Sequence, residues 1–202
     1  MKNNIGTGLA IIVLSLIAIA FTFSPKTDNY IIEPNLSEIK WTGYHLVKSY
    51  AHNGFIDVKY GTLTLENGDL VSGKVVINMK SITNNDLKDQ KDNQKLVKDL
   101  KSKRFFDVKE YPEASIAINK VQKTDNNLYS ITGDITIRGI THEITFDAER
   151  TLLKNDSVEF SVNIEIDRTE FKVMYGWSIE NAVLSNKFDL QLKLVASKLG
   201  PQ

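Results

Sequence analysis

Three histidines, His45, His52 and His142, are the side chains here best suited to metal or acid–base chemistry. A zinc or proton-transfer site needs ligands that converge, and a spacing such as His-Glu-x-x-His announces it. That spacing is absent, so the three read as structural or surface histidines. Serine is common, but no Gly-x-Ser-x-Gly elbow presents one as a nucleophile. No glycine-rich loop precedes a helix to cradle a phosphate. Asp107 and Glu110 form a carboxylate pair, but in a charged segment where both are solvated. Cysteine is absent, which removes thiolate catalysis, disulfides and cysteine-held metals. No activated nucleophile and no acid/base pair can be assembled, so the chain reads as a non-enzyme with no catalytic cofactor.

Two aromatic strings carry more information. The first is Phe105-Phe106-Asp107-Val108-Lys109-Glu110-Tyr111-Pro112. It is either a hydrophobic plug or part of the lining of a ligand site. The second runs from Arg168 to Trp177, with Phe171, Met174 and Trp177 spaced for one side of a compact loop or helical turn. Packing and pocket lining are both open to it.

The elements that must position these strings are strands. In 133–146, Ile135 and Ile137 face one way and Thr136 and Arg138 the other; after a tight turn at Arg138-Gly139, Ile140, Ile144 and Phe146 take the inner face. Period-two alternation marks a sheet with one apolar side. It recurs in 39–47, in 56–60 continued by Leu63 and Leu65, and in Val71, Gly73, Val75, Ile77 and Met79. It returns in 114–118, in 158–166 and in Phe188 to Ala196, with turn chemistry between at Asn67-Gly68, Asp125-Asn126-Asn127 and Asn155-Asp156. About eight or nine antiparallel strands with one apolar face each bury that face by closing into a barrel or folding into a sandwich, and the barrel is favoured because closure removes edges. Polar outward residues such as Lys74, Glu159, Glu165 and Lys193 argue against a membrane-spanning barrel, whose outer face is apolar. Ser81 to Pro112 interrupts the strands; Leu96 and Leu100, four apart in a lysine- and aspartate-rich stretch, predict one short amphipathic helix on the barrel or over its mouth. Its lysines read as a solvated face rather than a lipid-steering patch.

A chain of 202 residues suffices for one such domain. Its 25 basic and 25 acidic residues balance, which leaves no electrostatic case for nucleic acid. Residues 1–23 read as an address: Lys2, an uncharged apolar run from Ile5 to Phe23, and small residues at Ala18-Ile19-Ala20 fit either a cleaved signal peptide or a retained anchor. Either predicts an exported, periplasmic or otherwise extracytoplasmic protein. Residues 24–36 are expected to be a polar linker with Pro25 and Pro34, and 37–198 the barrel.

Four stretches resemble the YceI-like family of exported bacterial proteins. They are Trp41-Thr42-Gly43 with His52-Asn53-Gly54 and Gly61-Thr62-Leu63; Met79-Lys80-Ser81-Ile82; Leu100 through Asp107 to Tyr111-Pro112; and Gly133 to Thr141 with Arg168-Thr169-Glu170-Phe171. They fall in order across about residues 37–197. The resemblance implies an all-β fold, an extended lipocalin-like antiparallel barrel of about eight strands with a short helical insertion. It also implies an elongated cavity holding a polyisoprenoid lipid or the tail of a quinone. Glycines on inward faces, Gly43, Gly73 and Gly133, would leave room for such a chain.

Strand parity and the two aromatic strings nominate a lining of Trp41, Ile77, Met79, Phe105, Phe106, Ile116, Ile135, Phe146, Phe160, Phe171, Met174 and Trp177. The expected partner is an isoprenoid lipid, with contact to a membrane surface or anchor and a homodimer left open. The competing reading is a membrane-anchored barrel with a filled core, serving as a protein-interaction or stress-response module. Lining residues and core residues have the same chemistry, so the sequence leaves both standing. An enzyme acting on lipid would need polar groups converging at the mouth, for which His52 and His142 are the candidates.

Overall fold

A computed structural model describes residues 25–46, 50–153, 156–174 and 184–200. The N-terminal segment expected to be a signal peptide or anchor lies outside the described residues, as does Trp177. The strands are β1 (Thr27–Ile32), β2 (Glu38–His45), β3 (Ala51–Glu66), β4 (Asp69–Asn78), β5 (Glu113–Lys123), β6 (Leu128–Ile137), β7 (Ile140–Leu152), β8 (Ser157–Asp167) and β9 (Leu184–Lys198). All pairings are antiparallel, and β3 pairs with both β2 and β4, which closes the sheet.

Nine strands fill eight places around this barrel. β1 and β2 are one interrupted strand: β1 pairs with the far half of β3 (Tyr30 opposite Leu63) and with the end of β9, while β2 pairs with the near half of β3 and the start of β9. At the break, Val195 donates its N–H to Ser37 Oγ and accepts from Glu33 N–H. The expected linker therefore holds a strand. Its prolines bracket β1, and its two inward residues, Tyr30 and Ile32, are too few to register as alternation; pairing on both sides makes the strand.

The interior is apolar. Val158, Phe160, Val162, Ile164 and Ile166 are all buried along β8, as the alternation predicts. Two bulges shift parity where the sequence alone suggests continuity. Between Val58 and Tyr60 the register slips by one, which turns Tyr60 outward (52% exposed) and brings Gly61 inward. A second slip opposite Thr64 and Leu65 puts Leu70, rather than Val71, in the core. A bulge adds one residue and reverses the faces beyond it. The turn at Arg138-Gly139 has both residues at positive φ (52° and 71°), the two-residue hairpin geometry expected there.

One end of the barrel is sealed. Tyr129, 1% exposed, donates its hydroxyl to Asp69 at 3.0 Å, and Asp69 also meets Lys123 Nζ at 2.7 Å. Burial, then the carboxylate, pushes the Tyr129 hydroxyl up to about 12. Next inward, Phe160 packs with its ring centroid 6.0 Å from Tyr129. Truncating so large a buried ring leaves a void, so Phe160→Ala should cost about 3–5 kcal/mol in urea denaturation, with an unchanged m-value.

Candidate functional site

The opposite end is not filled. Helix α1 (Gln90–Lys101) and the segments around it cover it. Asp89 caps α1 by accepting from Asp92 N–H at 3.0 Å, and Ser102 ends it, its N–H bonded to Asp99 O. Leu96 and Leu100, the pair that predicts the helix, point beneath it into the barrel with Phe105 and Phe106. The two phenyl rings meet edge to face at 4.9 Å, and Phe106 lies 6.4 Å from Phe188 of β9.

The approach to this cover is tied down by one carboxylate. Asp86 accepts from His52 Nδ1 at 2.7 Å, from Asn53 N–H at 2.8 Å and from Asn84 Nδ2 at 2.5 Å. Asn93 of α1 donates to Asn84 O and Leu87 O, which links the helix to the same knot. Thr83 N–H reaches Phe55 O, and Trp41 Nε1–H reaches Thr83 O at 3.0 Å. This close docking explains Gly54: a Cβ there would lie 2.0 Å from Thr83 O. Burial alone would raise the Asp86 carboxyl, but the hydrogen bonds from Asn53, His52 and Asn84 outweigh it and hold it below the usual range.

Beneath the cover lies an apolar cavity of about 130 Å³. An apolar cavity of about 150 Å³ holds a benzene, so this space takes a group of about that size. Its walls are Trp41, Gly43, Ile56, Ile77, Met79, Ile82, Ala114, Ile135, Ile137 and Leu190, with Leu96, Leu100, Phe105, Phe106 and Phe188 at the cover. Tyr44, His45, His52, Arg168, Ser185 and Lys187 also border it, although almost all of its surface is carbon. A wall this apolar offers dispersion and hydrophobic contact and selects a greasy ligand. Among the described residues no cluster of three or more His, Asp or Glu could hold a metal ion.

The YceI-like domain profile matches residues 30–196, across the barrel and its cover. The chain belongs to the YceI-like family. Relatives include a UPF0312 protein of Pseudomonas putida (strain W619), 30% identical over 54% of this chain and 54% of its own length. Another UPF0312 protein, from Vibrio campbellii, is 28% identical over 77% of both chains. The alignment thus spans about half the length of the Pseudomonas relatives. Among solved structures, BcnA of Burkholderia cenocepacia superposes with a TM-score of 0.64 at 20% identity, over 82% of this chain and 99% of that one. A polyisoprenoid-binding domain of Saccharophagus degradans superposes with a TM-score of 0.60 at 12% identity, over 83% and 97%. These two likenesses concern the fold, and they agree with the lipocalin-like barrel that the motifs imply.

Of the nominated lining, the YceI-like barrel brings Trp41, Ile77, Met79, Phe105, Phe106 and Ile135 together around this cavity. Ile116, Phe146 and Phe160 instead line a second void of about 30 Å³ nearer the sealed end. They project into the same barrel interior but from β5, β7 and β8, at a level nearer the sealed end. Phe171 is 1% exposed and outside both voids, its ring 5.1 Å edge-on from His142. Met174 is 41% exposed. The reason is local: β7 pairs with β8 only over Ala148–Leu152, and the 168–173 loop packs along the unpaired half of β7. His142 Nε2 meets Glu170 O at 3.2 Å and Arg138 donates to Lys172 O, so His142 fixes that loop. Gly73 and Gly133 open no passage, because Leu63, Ile118 and the Ala117 backbone occupy the space beside them.

Sequence reasoning missed the cover residues Leu96 and Leu100 as lining, although their spacing was visible. It also missed Arg168, which is 4% exposed and donates to Ser185 O and Val173 O at 2.8 Å each. Its place in the Arg-Thr-Glu-Phe string was the available signal.

Two outcomes test this site. Gly54→Ala should push Thr83 off β3 and cost about 1–3 kcal/mol in urea denaturation, because backbone cannot yield like a side chain. Burial, then the neighbouring His52, lowers the His45 pKa from its ordinary 6.5. Below that value the unfolded chain binds a proton that the folded chain resists, so stability is lost as pH falls through and below about 6.5. The thermal midpoint should drop across that window, and drop less in His45→Phe.

Proposed function

We propose that the chain is an exported carrier that holds the apolar chain of one polyisoprenoid, a polyprenyl lipid or quinone tail, in the cavity under α1. The observation that carries this reading is the cavity itself: an apolar space at one end of a barrel whose other end leaves only a small void. Family membership and the barrel's likeness to a polyisoprenoid-binding domain support it. The uncharged run from Ile5 to Phe23 supports export, with the barrel either released or held by an uncleaved segment.

Magnitudes constrain the ligand. About ten buried carbons contribute roughly 8 kcal/mol, within the range of about 4–15 kcal/mol that association costs. The present space, close to benzene-sized, takes about one isoprene unit, so affinity depends on a longer tail. A longer tail binds by displacing the aromatic cover or by opening the layer between the two voids, and each added unit strengthens binding.

The decisive experiment purifies the full chain from an expressing bacterium and combines native mass spectrometry with organic extraction. A bound apolar species with isoprenoid mass spacing is the expected result. Ala114→Phe, which fills the cavity from the β5 wall, should fold and lose that species. A clean apo mass with no uptake of added prenylquinone or polyprenol would favour a filled-core interaction module instead.

A further inference from the structure

The polar groups around the cavity can be accounted for one by one, and the remainder describes a ligand head. Trp41 Nε1–H is bonded to Thr83 O, and the Tyr44 hydroxyl donates to Asp189 Oδ2 at 2.5 Å. His52 Nδ1 is held by Asp86. Arg168, the buried cation, donates Nε–H and Nη1–H to the carbonyls of Ser185 and Val173. Lys187 Nζ is paired with Glu165, and Ser185 Oγ accepts from Lys187 N–H at 3.0 Å. Among the described residues His52 Nε2 also has no hydrogen-bond partner, but His45 has both ring nitrogens open. Its ring stands 4.6 Å from that of Tyr50 and 5.9 Å from that of His52, and among the described residues its nitrogens have no hydrogen-bond partner.

We infer that His45 is the head-group contact of this cavity and that it selects an uncharged oxygen function, a carbonyl or hydroxyl, over a phosphate or diphosphate. The inference rests on the carrier reading and adds its specificity. A neutral imidazole carries one donor and one acceptor, which suits a carbonyl or an alcohol equally. Burial keeps the ring in that neutral form near neutral pH. A diphosphate would need cations released to it; among the described residues lining the cavity, Arg168 is held by backbone carbonyls and Lys187 pairs with Glu165 at the surface. Leaving a dianion beside an apolar wall without such partners is costly.

The test compares four ligands with matched prenyl chains on the full-length protein: a prenylquinone, a prenyl alcohol, a prenyl diphosphate and the parent hydrocarbon, with Kd taken from tryptophan fluorescence. The quinone and the alcohol should bind about fivefold tighter than the hydrocarbon, the yield of one neutral hydrogen bond, and the diphosphate most weakly. His45→Phe should abolish the ratio of Kd values that favours the oxygenated heads over the hydrocarbon, whatever it does to the affinity of the prenyl chain itself. His45→Gln, which keeps a neutral donor and acceptor, should restore part of it. Tightest binding of the diphosphate, or equal effects of His45→Phe on all four ligands, would overturn the inference while leaving the carrier reading intact. Failure of all four to bind would overturn the carrier reading itself.

Discussion

An eight-strand barrel stands at the size where its interior is either just filled by side chains or just wide enough for one slender ligand. Everything else here depends on how that balance falls at each level. Near the sealed end, Tyr129, Phe146 and Phe160 project inward and leave only a small void. Toward the other end the inward positions are Gly43, Ala114 and aliphatic residues of medium size, and their volumes do not close the space. The same closed sheet is thus a packed core at one end and a container at the other.

A half-empty barrel needs a cover, and the chain spends the stretch between β4 and β5 on it. Covalent continuity places that stretch at the end of β4; the Asp86 knot fixes its angle. Because Asp86 draws on a ring nitrogen and a main-chain N–H of β3 and on a side chain of its own loop, it couples the cover to the wall rather than to itself. Phe105 and Phe106 then lie over the cavity as rings that contact one another and Phe188, with aliphatic neighbours below. The 168–173 loop does comparable work on the flank, filling the notch where β7 and β8 part company, with Arg168 stitching it to the start of β9. Arg168 therefore serves the shape of the site through the carbonyls it holds.

The sequence was most legible where burial is one-sided and regular. β6, β8 and β9 carry four or more inward apolar residues each, and the period alone identifies strand, face and core membership. It was least legible where a single residue changes the phase. Nothing in Val58-Lys59-Tyr60 announces that Tyr60 turns outward, since the bulge is set by the match between β3 and β4. β1 was hidden for the same reason: six residues between two prolines become a strand because β3 and β9 offer edges on both sides.

For the site, the sequence by itself determined the ingredients: an apolar interior, a helix with Leu96 and Leu100 on one face, two aromatic strings, and the motifs of a YceI-like barrel. It determined that no cysteine chemistry takes place and that the outer surface is polar. Only the tertiary structure decided which ingredients meet. Trp41, Ile77 and Ile135 come from three different strands and Met79 from the turn that follows β4, and their convergence with Phe105 and Phe106 depends on register and on where the cover docks. Ile116 and Phe160 have the same parity and chemistry yet fall at another level of the barrel, because parity specifies a face and says nothing of height along the axis. Packed core and cavity wall are made of the same side chains; what separates them is the volume their neighbours leave, and that volume exists only in three dimensions.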